Sequence, residues 1–147
     1  MKICEPRSDD DFKKYYELRW KILREPWNQP RGSERDEMDD IAMHIMVCIG
    51  DEVIGVSRLH FNSDEEAQIR YMAVDERYRR KGIGTMMLKE LEGRAREKGA
   101  RYVVLNAREN AVDFYRKNGY TVVEKTYTLF NSINHFKMRK FLDGKER

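Results

Sequence analysis

A chain of 147 residues has room for one domain and little more, and 40% hydrophobic residues is enough for a core and too many for a disordered segment. Charged residues make up 37%, but 29 basic against 26 acidic side chains leave a net charge of +3, which argues against a nucleic-acid or membrane-surface protein. No apolar run reaches the length of a membrane span, and Met1-Lys2-Ile3-Cys4-Glu5-Pro6 carries no signal-peptide pattern, so the expected location is the cytoplasm.

In chain order, Lys2 to Cys4 reads as a short first strand. Ser8-Asp9-Asp10-Asp11 opens a helix with acids at its positive end. Phe12, Tyr16 and Leu23 keep helical spacing beside a second stripe of Tyr15, Leu18 and Ile22. Pro26 and Pro30 end it and open a polar stretch from Gln29 to Asp40, a loop or a short weak helix. His44 to Ile49, Val53 to Leu59 and Ala67 to Val74 read as an antiparallel meander, turning at Gly50-Asp51 and Asn62-Ser63-Asp64. A basic loop, Asp75 to Gly84, leads into a helix beginning near Thr85 with Met87, Leu88, Leu91 and Ala95 on one face and Gly99 as its stop. Tyr102 to Leu105 is a buried-type strand and Asn110 to Lys117 a short helix capped by Gly119. Two last strands, Val122 to Phe130 and His135 to Phe141, are joined by Asn131-Ser132. This order implies an α/β fold: a mixed, mostly antiparallel central sheet of about six to seven strands with helices on both faces.

The two cysteines, Cys4 and Cys48, lie in apolar, strand-like stretches and read as reduced core residues. A disulfide between them is allowed but not favoured. Neither stands in a metal-ligand spacing, and no metal is expected.

The strongest chemical signal is Arg79-Arg80-Lys81-Gly82-Ile83-Gly84-Thr85, between a strand and a helix. Two glycines permit a tight turn with inward N–H groups, the helix start adds unpaired donors, and three cations add attraction. That is a pyrophosphate cradle. A P-loop is excluded because Gly-Lys-Ser/Thr is absent, and a dinucleotide fingerprint because Met87 stands where its third glycine belongs.

Arg79-x-x-Gly82-x-Gly84, preceded by Ala73-Val74-Asp75-Glu76-Arg77-Tyr78, resembles the coenzyme A signature of the GNAT N-acetyltransferases. Asn110-Ala111-x-x-Phe114-Tyr115-x-x-x-Gly119-Tyr120 resembles the family's second motif, at the usual separation. The resemblance implies a single acyl-CoA N-acyltransferase domain over residues 1–147, with acetyl-CoA as co-substrate and a primary amine as acceptor. Backbone amides of Arg80, Lys81, Gly82, Ile83, Gly84 and Thr85 would hold the pyrophosphate, assisted by the Arg79 and Arg80 side chains. The pantetheine arm would pair with the backbone at Met72, Ala73 and Val74, where a main-chain N–H would polarise the thioester carbonyl. This strand would splay from the one carrying Leu105 and Asn106, and Asn110 would touch the coenzyme. Tyr115 matches the tyrosine that faces the coenzyme sulfur.

Gln68 stands where many members of the family carry a glutamate base, and an amide cannot accept the proton. Asp36, Glu37, His44, Glu65, Glu66 and His135 are the candidate substitutes. Arg24, Trp27, Glu37 and His135 are candidates for the acceptor groove, with Arg24 and Arg31 favouring an anionic substrate. The missing glutamate leaves a second reading open, a non-catalytic acyl-CoA sensor or regulatory module. The expected partner is a small-molecule or peptide amine, with no nucleic acid and no membrane. Pairing through the last strands offers a route to a homodimer.

Overall fold

The computed structural model describes residues 1–143 of the chain. Its seven strands lie in one sheet in the order β1-β2-β3-β4-β5-β7-β6, where β1 is Lys2–Cys4, β2 Met43–Ile49, β3 Glu52–Phe61, β4 Glu66–Val74, β5 Tyr102–Arg108, β6 Thr121–Leu129 and β7 Ile133–Phe141. The β4–β5 pair is parallel, whereas β1–β2, β2–β3, β5–β7 and β6–β7 are antiparallel. Three helices accompany them: α1 (Asp9–Leu23), α2 (Ile83–Glu97) and α3 (Val112–Lys117). The chain forms two compact units, one of Met1–His60 with Tyr71–Leu91, the other of Phe61–Arg70 with the described residues from Glu92 onward.

In the first unit α1 starts where the sequence places it. The Ser8 hydroxyl accepts the Asp11 N–H at 3.0 Å, and the Asp11 carboxylate accepts the Ser8 N–H at 3.3 Å. This reciprocal pair satisfies two of the donors that a helix start leaves open. Tyr15 and Leu18 then pack with Met46, Val56 and Ala73. On the other face of β3, a Cβ on Gly55 would lie 3.0 Å from Ile83 Cγ2 and 3.3 Å from Met87 Cε, so α2 packs closely over this glycine. Neighbouring strand residues point to opposite faces, so α1 over Val56 and α2 over Gly55 flank the sheet on both sides of this unit.

In the second unit β5 runs from Tyr102↔Phe141 to Arg108↔His135 against β7. Tyr120 donates to Glu92 at 2.9 Å and Lys140 donates to the same carboxylate at 2.9 Å, which satisfies a buried acid. The β6–β7 turn sits one residue earlier than expected. Phe130 and Asn131 both take positive φ, 53° and 56°, and the Ser132 N–H reaches the Leu129 carbonyl at 3.1 Å. That is the mirror-image turn whose twist suits a hairpin, and it carries Phe130 into a conformation usually left to glycine or asparagine. β6 is exposed along nearly its whole length, Val122, Val123 and Tyr127 included.

Candidate active site

The loop expected to form the cradle lies within the first unit. After β4, Asp75 donates its N–H to the Ile54 carbonyl at 2.8 Å and caps the short 3-10 turn Glu76–Tyr78 by accepting the Arg77 N–H. Arg77 is tied to Asp75 and Glu52, whereas Arg79, Arg80 and Lys81 stay exposed. Arg80 at φ 63° and Gly82 at φ 80° bend the backbone into left-handed turns on either side of Lys81. Such alternation collects N–H groups into an anion-binding hollow. The helix starts at Ile83, two residues earlier than expected, and Met86 makes its first closing hydrogen bond, to the Gly82 carbonyl at 3.0 Å. The amides of Ile83, Gly84 and Thr85 precede that bond and belong to the donors that a helix start presents. A Cβ on Gly82 would meet nothing within 4 Å, so the space above the loop is open.

Directly before Met72, Tyr71 holds φ 57° inside β4, a conformation that costs a non-glycine residue about 1–3 kcal/mol. The surroundings of this residue were not among the sequence expectations. The guanidinium carbons of Arg19, Arg58 and Arg24 lie 4.3, 4.9 and 5.6 Å from the Tyr71 ring centre. Arg19 and Arg58 are both fully buried and meet at Asp39, at 2.9 and 3.2 Å, while Asp36 takes a second bond from Arg58. Burial alone would raise Asp39, but Arg19, the Asp36 N–H and Arg58 outweigh it and hold the carboxyl below its ordinary value.

His44 belongs to this cluster. The Asp39 backbone carbonyl, 2.8 Å from Nε2, can only accept, so Nε2 carries a proton, while the Tyr15 hydroxyl lies 2.8 Å from Nδ1 and 3.0 Å from the Ser57 carbonyl, two neighbours that share its single proton. Burial is the main cause that lowers this histidine below its ordinary 6.5, with the Asp39 carbonyl opposing. A depressed folded-state value stabilises the fold above pH 6.5, and that contribution is lost as pH falls through the folded value. The thermal midpoint is therefore expected to begin falling just below pH 6.5, and His44→Gln should delay the onset to the carboxylate range. Scans between pH 4 and 8 check this, and identical onsets in the two proteins would remove His44 from the account.

The other candidate bases and acceptor residues are scattered. Arg24 is buried and spends Nε on the Ser33 carbonyl at 3.0 Å and Nη1 on the Leu23 carbonyl at 3.0 Å. Arg31 pairs with Glu17 and stacks over Trp20. Trp27 is half-buried and Glu37 exposed at the start of the 3-10 turn Glu37–Asp40. In the second unit Glu65 pairs with Arg101, and His135 is buried with Nδ1 on the Ile133 carbonyl and its ring stacked on Tyr127. Gln68 accepts from the Asn62 amide at 2.9 Å, and the same amide donates to Glu66 at 2.7 Å.

Also in the second unit, the Asn106 Oδ1 is buried with no hydrogen-bond partner among the described residues. Asn110 is exposed in the turn before α3. Tyr115 packs against Phe114 and Tyr120 at 5.0 and 5.9 Å between ring centres. Burial pushes its phenol up to about 12, with the Arg108 charge opposing. A cavity of about 390 Å³ lined by Phe61, Asn62, Ser63, Asp64 and Lys98 holds none of the predicted site residues. Among the described residues there is no metal-binding cluster and no helix long and apolar enough to cross a membrane.

Residues 12–120 match the family model of the acetyltransferase (GNAT) family. The chain belongs to this family. This acetyltransferase is 30% identical over 140 residues to the uncharacterized N-acetyltransferase YjcF of Bacillus subtilis strain 168, an alignment covering 95% of this chain and 99% of that one. Its fold matches an aminoglycoside 6'-N-acetyltransferase complexed with coenzyme A (TM-score 0.81, 16% identity, all of both chains). It also matches a GNAT family acetyltransferase from Elizabethkingia anophelis with acetyl-CoA bound (TM-score 0.76, 16% identity, 95% of this chain and 97% of that one). The mixed seven-stranded sheet and the family expected from the two motifs are thus both borne out.

Proposed function

We propose that residues 1–147 act as one acyl-CoA N-acyltransferase domain that moves the acetyl group of acetyl-CoA directly to a primary amine in a ternary complex. The observation that carries this reading is the loop of exposed cations and left-handed turns at the start of α2, with open space above Gly82. Arg80 to Thr85 would hold the pyrophosphate by their backbone amides, Arg79 and Arg80 by their side chains, and Met72 to Val74 and Asn106 would hold the pantetheine arm. Bound acetyl-CoA supplies an activated thioester; the chain's part is to orient it, stabilise charge at its oxygen and sulfur, and admit the amine.

Calorimetry is expected to show acetyl-CoA binding well and S-acetylpantetheine, which lacks the pyrophosphate, at least tenfold more weakly. Gly82→Val should weaken acetyl-CoA by tenfold or more, since a β-branched residue resists φ 80° and its side chain would occupy the open space. No acetyl-CoA affinity in the wild type would end the proposal. For the reaction, thiol release from acetyl-CoA is measured against a panel of amines. Intersecting initial-rate lines support direct transfer, and parallel lines a covalent intermediate.

With an amide at Gln68, the pH–rate profile is expected to follow the acceptor's own titration or that of a remote group. Gln68→Glu should keep activity or raise it below neutral pH. The new carboxylate would share the Asn62 amide with Glu66, and a like charge so near raises a carboxyl toward the range of a working base. A large loss of kcat in Gln68→Ala with the fold intact would show instead that the amide takes part directly.

A further inference from the structure

The cysteines of the first unit stand in a relation that the sequence alone did not favour. β1 pairs with β2 so that Lys2 faces Cys48 and Cys4 faces Met46, which sets Cys4 and Cys48 diagonally across the ladder. The diagonal is closed by the side chains: Sγ of Cys4 lies 3.2 Å from Sγ of Cys48, both residues half-buried. The β2–β3 register slips between Val47 and Cys48, an irregularity at the residue that would have to move. A disulfide spans about 2.05 Å, so closing the pair requires a shift of about 1.2 Å shared between two side chains. These are the only two cysteines in the chain, so neither has an alternative partner within it.

We propose that Cys4 and Cys48 are a reversible oxidation site, converted to an intramolecular disulfide by low-molecular-weight disulfides. The Cys4 sulfur attacks one sulfur of R–S–S–R, forming a mixed disulfide and releasing R–SH with the Cys4 proton. Cys48 then attacks the Cys4 sulfur, forming the protein disulfide and releasing the second R–SH with its own proton. Two S–H bonds are exchanged for one S–S bond, the protein loses two electrons, and the small disulfide gains them. Burial first, and then Cys4 itself, push the Cys48 thiol up to about 12, and capping either sulfur leaves the other 3.2 Å away to close the bond, so the exchange balances in the same way whichever cysteine attacks first.

The disulfide would tie the three-residue edge strand β1 to β2 across a span of 44 residues. Closing a loop of that length restricts the unfolded chain, and an increase in thermal midpoint of about 5–10 °C is expected. The test incubates the full chain with oxidised glutathione and follows thiol count, intact mass and thermal midpoint. The expected result is loss of both thiols together, a mass lower by two hydrogens, one linked peptide containing Cys4 and Cys48, a raised midpoint, and reversal by a dithiol reductant. Cys48→Ser should instead accumulate the glutathione adduct at Cys4. Two thiols persisting, a stable glutathione adduct on the wild type, or a disulfide between chains would overturn the proposal. A closed bond that leaves the midpoint unchanged would overturn the stapling role.

Discussion

Asp39→Ala is expected to lower the unfolding free energy by about 3–5 kcal/mol. A carboxylate in water is worth far less, but Asp39 is the shared partner of Arg19 and Arg58, neither of which reaches solvent. Removing it takes away the carboxylate of buried Arg19 and leaves Arg58 with Asp36 alone, and the loss is a large share of a typical domain's total stability. It also removes the carboxylate that accepts the Asp36 N–H at 2.9 Å and so closes the start of the 3-10 turn. Urea titration monitored by circular dichroism measures the change. Arg19→Met combined with Asp39→Leu should recover much of it, because a paired charge replaced by apolar groups costs little. A loss below about 1 kcal/mol for Asp39→Ala would show that water or relaxation screens the cluster.

Tyr115→Phe is expected to lower kcat about 10²-fold or more with a good amine acceptor, while acetyl-CoA affinity and thermal midpoint change little. When the tetrahedral intermediate collapses, the departing sulfur gains negative charge and needs a donor. Burial raises the phenol to about 12, above a free thiol near ~8.5, so full proton transfer to the sulfur is not favoured. On the proposed reading Tyr115 would act as a hydrogen-bond donor that stays protonated through the neutral range, and the proton would follow as the product leaves. The raised value also means that no decline in rate below pH 10 should trace to this residue. Unchanged kcat, with chemistry shown to be rate-limiting, would return Tyr115 to a packing role.

What could be read from the sequence was what has a local signature. The Ser8 cap, the stripes of α1, the Gly82 turn and the strand pattern all come from residues acting within a few positions of themselves. The family followed from two such motifs held at a fixed distance. The cluster around Tyr71 was missed because arginine is ordinarily a surface residue and its burial depends on partners far along the chain. A signal did exist. Arg19 falls four residues after Tyr15 and beside Leu18, on the buried face of α1, and Arg58 continues the inward alternation of Ile54 and Val56 along β3. The positive φ of Tyr71 had no such mark, since nothing in a tyrosine announces a left-handed turn. The Asp36-x-x-Asp39 pair was legible as a cap in principle, yet its weightier role toward Arg58 and Arg19 is tertiary.

Both tryptophans lie at the end of α1 and in the turn after it, and neither belongs to the second unit. Trp20 donates its indole N–H to the Gln29 carbonyl at 3.0 Å beneath the Arg31 guanidinium, and the Gln29 amide in turn donates to the Trp27 carbonyl at 3.2 Å. The chain thus carries a fluorescent reporter on one half only. Indole emission follows the melting of the first unit, while far-ultraviolet dichroism sums over both. Superimposed denaturation curves from the two signals would mean that the halves unfold as one cooperative body, and separated curves that each has a stability of its own.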